Sequence, residues 1–95
     1  MKVLILIIEL KADYAHSLKE KRMVIRSITQ KLKNKFNISV NEVDTQDIHN
    51  LITIGISSIC QTNAIADSTY EKILNFIECN TDAEVVDIEK EIIEF

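Results

Sequence analysis

Apolar and polar positions follow two rhythms along this chain, and the switches between them mark six elements. Residues 2–10, Lys-Val-Leu-Ile-Leu-Ile-Ile-Glu-Leu, are a short β-branched and leucine-rich run, which predicts a strand buried on both faces. A polar connection, Lys11 to His16, leads into Ser17-Leu18-Lys19-Glu20. This is a capping box: the Ser17 hydroxyl can accept from the Glu20 N–H while the Glu20 carboxylate reaches back to Ser17. Behind it Leu18, Ile25, Ile28, Leu32 and Phe36 recur at steps of three, four and seven, one apolar stripe on a helix over 18–35. A second strand is expected over Asn37–Val43, where Ile38 and Val40 alternate with Ser39 and Asn41. The acidic turn Asp44-Thr45-Gln46-Asp47 then precedes His49–Cys60, in which Ile52, Ile54 and Ile56 alternate with Thr53, Gly55 and Ser57, a half-buried strand. Thr62-Asn63 can open a second helix over Ala64–Cys79, striped by Ala66, Tyr70, Ile73, Leu74 and Ile77. A last strand closes the pattern over Glu84–Ile92.

The order β-α-β-β-α-β has one well-known solution, the ferredoxin-like α+β sandwich, with a four-stranded antiparallel sheet and both helices on one face. The two most apolar strands, the first and third, take the sheet centre in that topology. No linker or repeat divides residues 1–95, so one domain is expected. The helices can cover only one sheet face, that of Leu4, Leu6, Ile8, Ile52, Ile54 and Ile56. Val3, Ile5, Ile7, Leu51 and Ile59 then fall on the open face. An uncovered apolar face predicts a homo-oligomer, most simply a two-fold dimer through that surface.

Composition narrows the setting. Apolar residues make up 46% of the chain and charged residues 27%, which excludes disorder. The longest apolar run, Val3 to Ile8, is far short of the about 20 residues that cross a bilayer, so no membrane partner is expected. Cys60 and Cys79 are isolated thiols without an export signal ahead of them, which points to the cytoplasm, with both acting as small apolar residues. The net charge of −4 conceals an asymmetry. Residues 19–35 carry seven cations against the single acid Glu20, a net of +6 that leaves −10 for the remainder. The last eighteen residues hold seven acids against Lys90.

The segment Ala15-His16-Ser17-Leu18-Lys19-Glu20-Lys21-Arg22, followed by Phe36-Asn37-Ile38-Ser39-Val40-Asn41-Glu42-Val43-Asp44, resembles the YlxP-like family of small bacterial proteins, a domain of unknown function. The resemblance extends over essentially the whole chain, including Asp47-Ile48, Gly55 and the acidic last strand. His49 departs from it, standing where the family usually has tryptophan, and Leu51-Ile52-Thr53 replaces a more polar run. Members of the family look like ferredoxin-like domains of about this length, in agreement with the periodicity. Their genes commonly lie beside those of translation initiation and ribosome maturation factors, which implies a setting around RNA or the ribosome.

The first helix carries the strongest candidate chemistry. Lys19, Arg22, Arg26, Gln30 and Lys33 follow at three- and four-residue steps, a basic stripe beside the apolar one. Lys19, Lys21 and Arg22 crowd the first turn, where the macrodipole favours acids. An anion at the helix N-terminus, held by free N–H groups, the Ser17 hydroxyl and the lysines, would account for them, and RNA phosphate is the obvious one. The expected nucleic-acid-binding residues are therefore Ser17, Lys19, Lys21, Arg22, Arg26 and Lys33, with rRNA or a ribosomal particle as partner. A solvated charged face is the plainer account of such a stripe. An acidic protein partner of a homodimeric regulatory or scaffold domain is the alternative. The first and third strands hold no Phe, Tyr or Trp, so RNA recognition by aromatic stacking on the sheet is not expected.

Catalytic readings are thinner. The 11–16 loop has neither the glycine nor the arginine of an acylphosphatase-like phosphate cradle. His16 beside Ser17 lacks an orienting third group, and Ser17 is better explained as a cap. His49 with Asp44 and Asp47 lacks a second His or Cys at ligand spacing. Asp87, Glu89 and Glu91 alternate on one face of the last strand, which suits a solvated or edge-protecting face. A non-catalytic domain without metal or other cofactor is expected.

Overall fold

A computed structural model describes residues 1–95, in the order β1 (Lys2–Lys11), α1 (Leu18–Lys35), β2 (Ser39–Asp44), β3 (Leu51–Cys60), α2 (Asn63–Asn80) and β4 (Glu84–Glu94). The strands form one antiparallel sheet in the order β2-β3-β1-β4, which places the first and third strands at the centre of a ferredoxin-like fold. Element bounds differ from the periodicity by a few residues at most, as frayed ends do.

One face of the sheet builds the core. Leu4, Leu6, Ile8 and Leu10 of β1 and Ile52, Ile54 and Ile56 of β3 are shut from solvent, beneath Ile28 and Leu32 of α1 and Ala66, Ile73 and Ile77 of α2. Each helix begins at a side-chain cap: Ser17 Oγ accepts from Glu20 N at 3.1 Å, and Thr62 Oγ1 from Ile65 N at 3.1 Å. Phe36 donates its N–H to Leu32 O as α1 ends. At the other edge, Asp67 of α2 lies 2.6 Å from Lys90 of β4 and holds that ammonium above its usual pKa. Lys2 holds the Glu94 carboxyl below the ordinary range in the same way, through a 2.6 Å pair.

β1 is not buried on both faces as its composition suggests. Its odd-numbered side chains face outward, and Ile7 is 38% exposed. The register puts Ile5, Ile7 and Glu9 beside Glu91, Glu89 and Asp87 of β4, so the open face is acidic as well as apolar. Cys60 is buried, whereas Cys79 is exposed and is not a core residue.

Gly55 sits on this open face because Val43 lies across it. A Cβ at Gly55 would come within 2.8 Å of Val43 Cγ1, and Val43 has a stiff β-branched side chain. Gly55→Val should cost about 2 kcal/mol through overpacking. Urea melts should show that loss, and Val43→Ala in the same chain should restore most of it.

Candidate nucleic-acid interface

Five side chains of α1 form the predicted stripe, and all five are exposed: Lys19, Arg22, Arg26, Gln30 and Lys33. At 3.6 residues per turn they span an arc of about 80° whose centre lies about 140° from the buried stripe, over a length of about 21 Å. None of the four cations has a carboxylate oxygen within 4.0 Å, since the four ion pairs of the molecule are Lys2–Glu94, Lys11–Asp13, Lys21–Glu42 and Lys90–Asp67. Glu9 of β1 and Asp87, Glu89 and Glu91 of β4 lie instead on the far side of the sheet. Charge of the two signs is thus segregated, not neutralised locally.

Two of the expected site residues do other work. Lys21 is 1% exposed; its ammonium lies 3.0 Å from Glu42 Oε2 on β2 and donates to the Thr45 carbonyl. It is removed from the basic surface because it falls between Leu18 and Ile25 in the apolar stripe of α1, which turns it inward. Ser17 Oγ is an acceptor for the Glu20 N–H. The Glu20 carboxylate completes the cap one residue further back than a capping box, accepting from His16 N at 2.7 Å. A carboxylate of the chain itself therefore stands at the helix N-terminus. The expected phosphate cradle of Ser17, Lys21 and free N–H groups is not formed there, and the basic surface runs along the helix from Lys19, Arg22 and Arg26 to Lys33.

Two loops are tied beneath this helix. Ala12 N donates to Asn50 O at 2.9 Å, and His49 Nδ1 lies 2.8 Å from Ala15 O. His49 is a tie between the β1–α1 and β2–β3 loops, and no three His, Cys, Asp or Glu side chains gather in a metal-holding arrangement. His16 is exposed, and its N–H serves the α1 cap. Thr45 holds a left-handed φ of 57°, costly for a β-branched residue. Its Oγ1 meets Leu51 O at 3.2 Å and Thr53 Oγ1 at 2.9 Å, its N–H donates to Asp44 Oδ1, and its carbonyl takes the Lys21 ammonium.

The aromatic residues missing from the central strands occur at the far end of α1. Phe36 and Phe76 meet edge to face with centroids 5.6 Å apart. They line an open cleft of about 400 Å³ shared with Lys35, Lys72 and Asn75. The periodic stripes mark Phe36 as the last apolar residue of α1, but Lys72 and Phe76 reach it only through helix–helix packing.

No helix is long and apolar enough to cross a membrane. The model of the family described as "Protein of unknown function (DUF503)" matches residues 3–90. Among curated proteins, "Uncharacterized protein YlxP" of Bacillus subtilis (strain 168) is 34% identical over 64 residues, covering 67% of this chain and 70% of that protein. By the match over residues 3–90 the chain belongs to the DUF503 family, and over 64 residues it is similar to YlxP.

Proposed function

We propose that this chain is a non-catalytic cytoplasmic binding domain that engages the phosphates of RNA, on rRNA or a ribosomal particle, through the exposed face of α1. The observation that carries this is the row of unpaired cations Lys19, Arg22, Arg26 and Lys33 on a molecule of net charge −4. A solvated helix needs no such segregation, whereas a polyanion gains from each unpaired cation by counterion release. The cleft of Phe36 and Phe76 favours RNA over an acidic protein as the partner. An unstacked base can lie against an aromatic side chain while Lys35 and Lys72 take the flanking phosphates.

Co-sedimentation of the purified chain with ribosomal subunits tests the proposal. The chain should pellet with the particles at low salt, be released as salt rises, and fail to pellet when Lys19, Arg22 and Arg26 are all replaced by glutamate. Pelleting that survives those replacements would remove α1 as the contact.

A further inference from the structure

No element of the fold covers the open face of the sheet, and its composition specifies what can cover it. Across the sheet from β2 to β4, one row reads Ser39, Ser57, Ile5, Glu91; the next reads Asn41, Gly55, Ile7, Glu89; the third reads Asp44, Thr53, Glu9, Asp87. At the third row both edge strands shift register, β2 between Glu42 and Asp44 and β4 opposite Glu9 and Leu10. Such bulges bend an edge strand and raise its twist. Between the bent edges lies a depression of about 400 Å³. The central strands contribute Ile7, Glu9 and Thr53 to it; Val43 and Asp44 stand on one side, Asp87 and Glu89 on the other. Beyond it Ile59, 71% exposed, and Ile93 extend the apolar part.

No lysine or arginine lies within 4.0 Å of Glu9, Asp44, Asp87, Glu89 or Glu91. The one cation on the strand positions of this face, Lys11, is 3.8 Å from Asp13. Covering the face with an apolar or acidic surface would bury five carboxylates without partners, which is strongly unfavourable. A second copy docked through the same face would bring five carboxylates from each chain together against one lysine each. A second copy docked through its α1 would form a heterologous contact, which closes only as a ring and otherwise runs on as a filament. The exposed face of α1 offers only Met23 as a large apolar residue, too little to cover Ile5, Ile7 and Ile59.

We propose that this face docks an extended segment of a partner protein whose sheet-facing side chains, at every second position, are by turns arginine or lysine and apolar. The aliphatic stems of the basic residues would lie on Ile7 and Val43 while their charged ends reach the surrounding carboxylates. The apolar residues between them would cover Ile5 and Ile59. This surface is separate from α1 and does not depend on RNA binding there.

The test is an NMR titration of the full ¹⁵N-labelled chain with a blocked Arg-Ser-Val-Ser-Arg-Ser-Val-Ser-Arg peptide, which sets its arginines and valines on one face, beside matched peptides with serine for both valines or glutamate for the three arginines. Amide shifts should cluster at Ile5, Ile7, Glu9, Gly55 and Asp87. The valine peptide should bind roughly tenfold or more tighter than the serine peptide, and the acidic peptide should not bind. The near-isosteric triple variant E9Q/D87N/E89Q should weaken binding by a similar factor, whereas E71Q/E78Q on α2 should leave it unchanged. Shifts centred on α2, equal affinity for the valine and serine peptides, or no binding at low salt would each overturn the proposal. So would sedimentation of the chain alone as a dimer that Ile7→Glu dissolves, because the occupant would then be a second copy.

Discussion

Replacing Lys21 by alanine should destabilise the fold by about 3 kcal/mol, the lower end of the cost of breaking a buried ion pair. The lower end applies because the Glu42 side chain is still 22% exposed and water can partly solvate it. The loss has two parts. Glu42 Oε2 has no other polar partner, so removing the ammonium leaves it buried and uncompensated. The Thr45 carbonyl also loses its donor, in a residue already held at a left-handed φ of 57°. For a domain of this size that loss lowers Tm by roughly 15 °C. The double variant Lys21→Met, Glu42→Leu should recover most of it, since an apolar pair of similar volume can replace a buried ion pair at little cost. A single-variant loss below about 1 kcal/mol, in the range of exposed ion pairs, would mean that the pair is solvated and that α1 is anchored by its apolar stripe alone.

Reversing Lys19, Arg22 and Arg26 together should weaken binding to a single-stranded RNA oligonucleotide by roughly a thousandfold at 50 mM salt, since each phosphate contact contributes about tenfold there. The fold should survive. All three side chains are exposed and unpaired, and Lys19→Glu adds an acid to the first turn, where the macrodipole favours it. Thermal melts should therefore move little while the affinity collapses. Lys21 is left out of the set because its reversal would unfold the junction with β2 and confuse the two effects.

Periodicity alone led to the topology, because the first and third strands are the most apolar runs and each helix carries one stripe behind a side-chain cap. The buried pair was legible too. Lys21 lies three residues after Leu18 and four before Ile25, inside the apolar stripe, and Glu42 lies two after Val40, on its inward face. Its charge drew it into the basic cluster instead; spacing outweighs charge when a partner waits at the facing position. The acidity of the open face was harder to read. Asp87, Glu89 and Glu91 are visible as an alternating set, but only the register with β1 sets them beside Ile5 and Ile7. The bulges that shape the depression arise from strand pairing and have no local signature. The Phe36–Phe76 cleft likewise depends on how two helices meet.

The central claim is that the exposed cations of α1 meet RNA phosphates, and the salt dependence of affinity tests it most directly. The four cations of the stripe together with Lys35 and Lys72 predict a slope of log K against log salt of about −4 for single-stranded RNA, and the K19E/R22E/R26E variant should fall to about −2. Equal slopes for the two proteins, or a wild-type slope near zero, would contradict the account and leave α1 a solvated face.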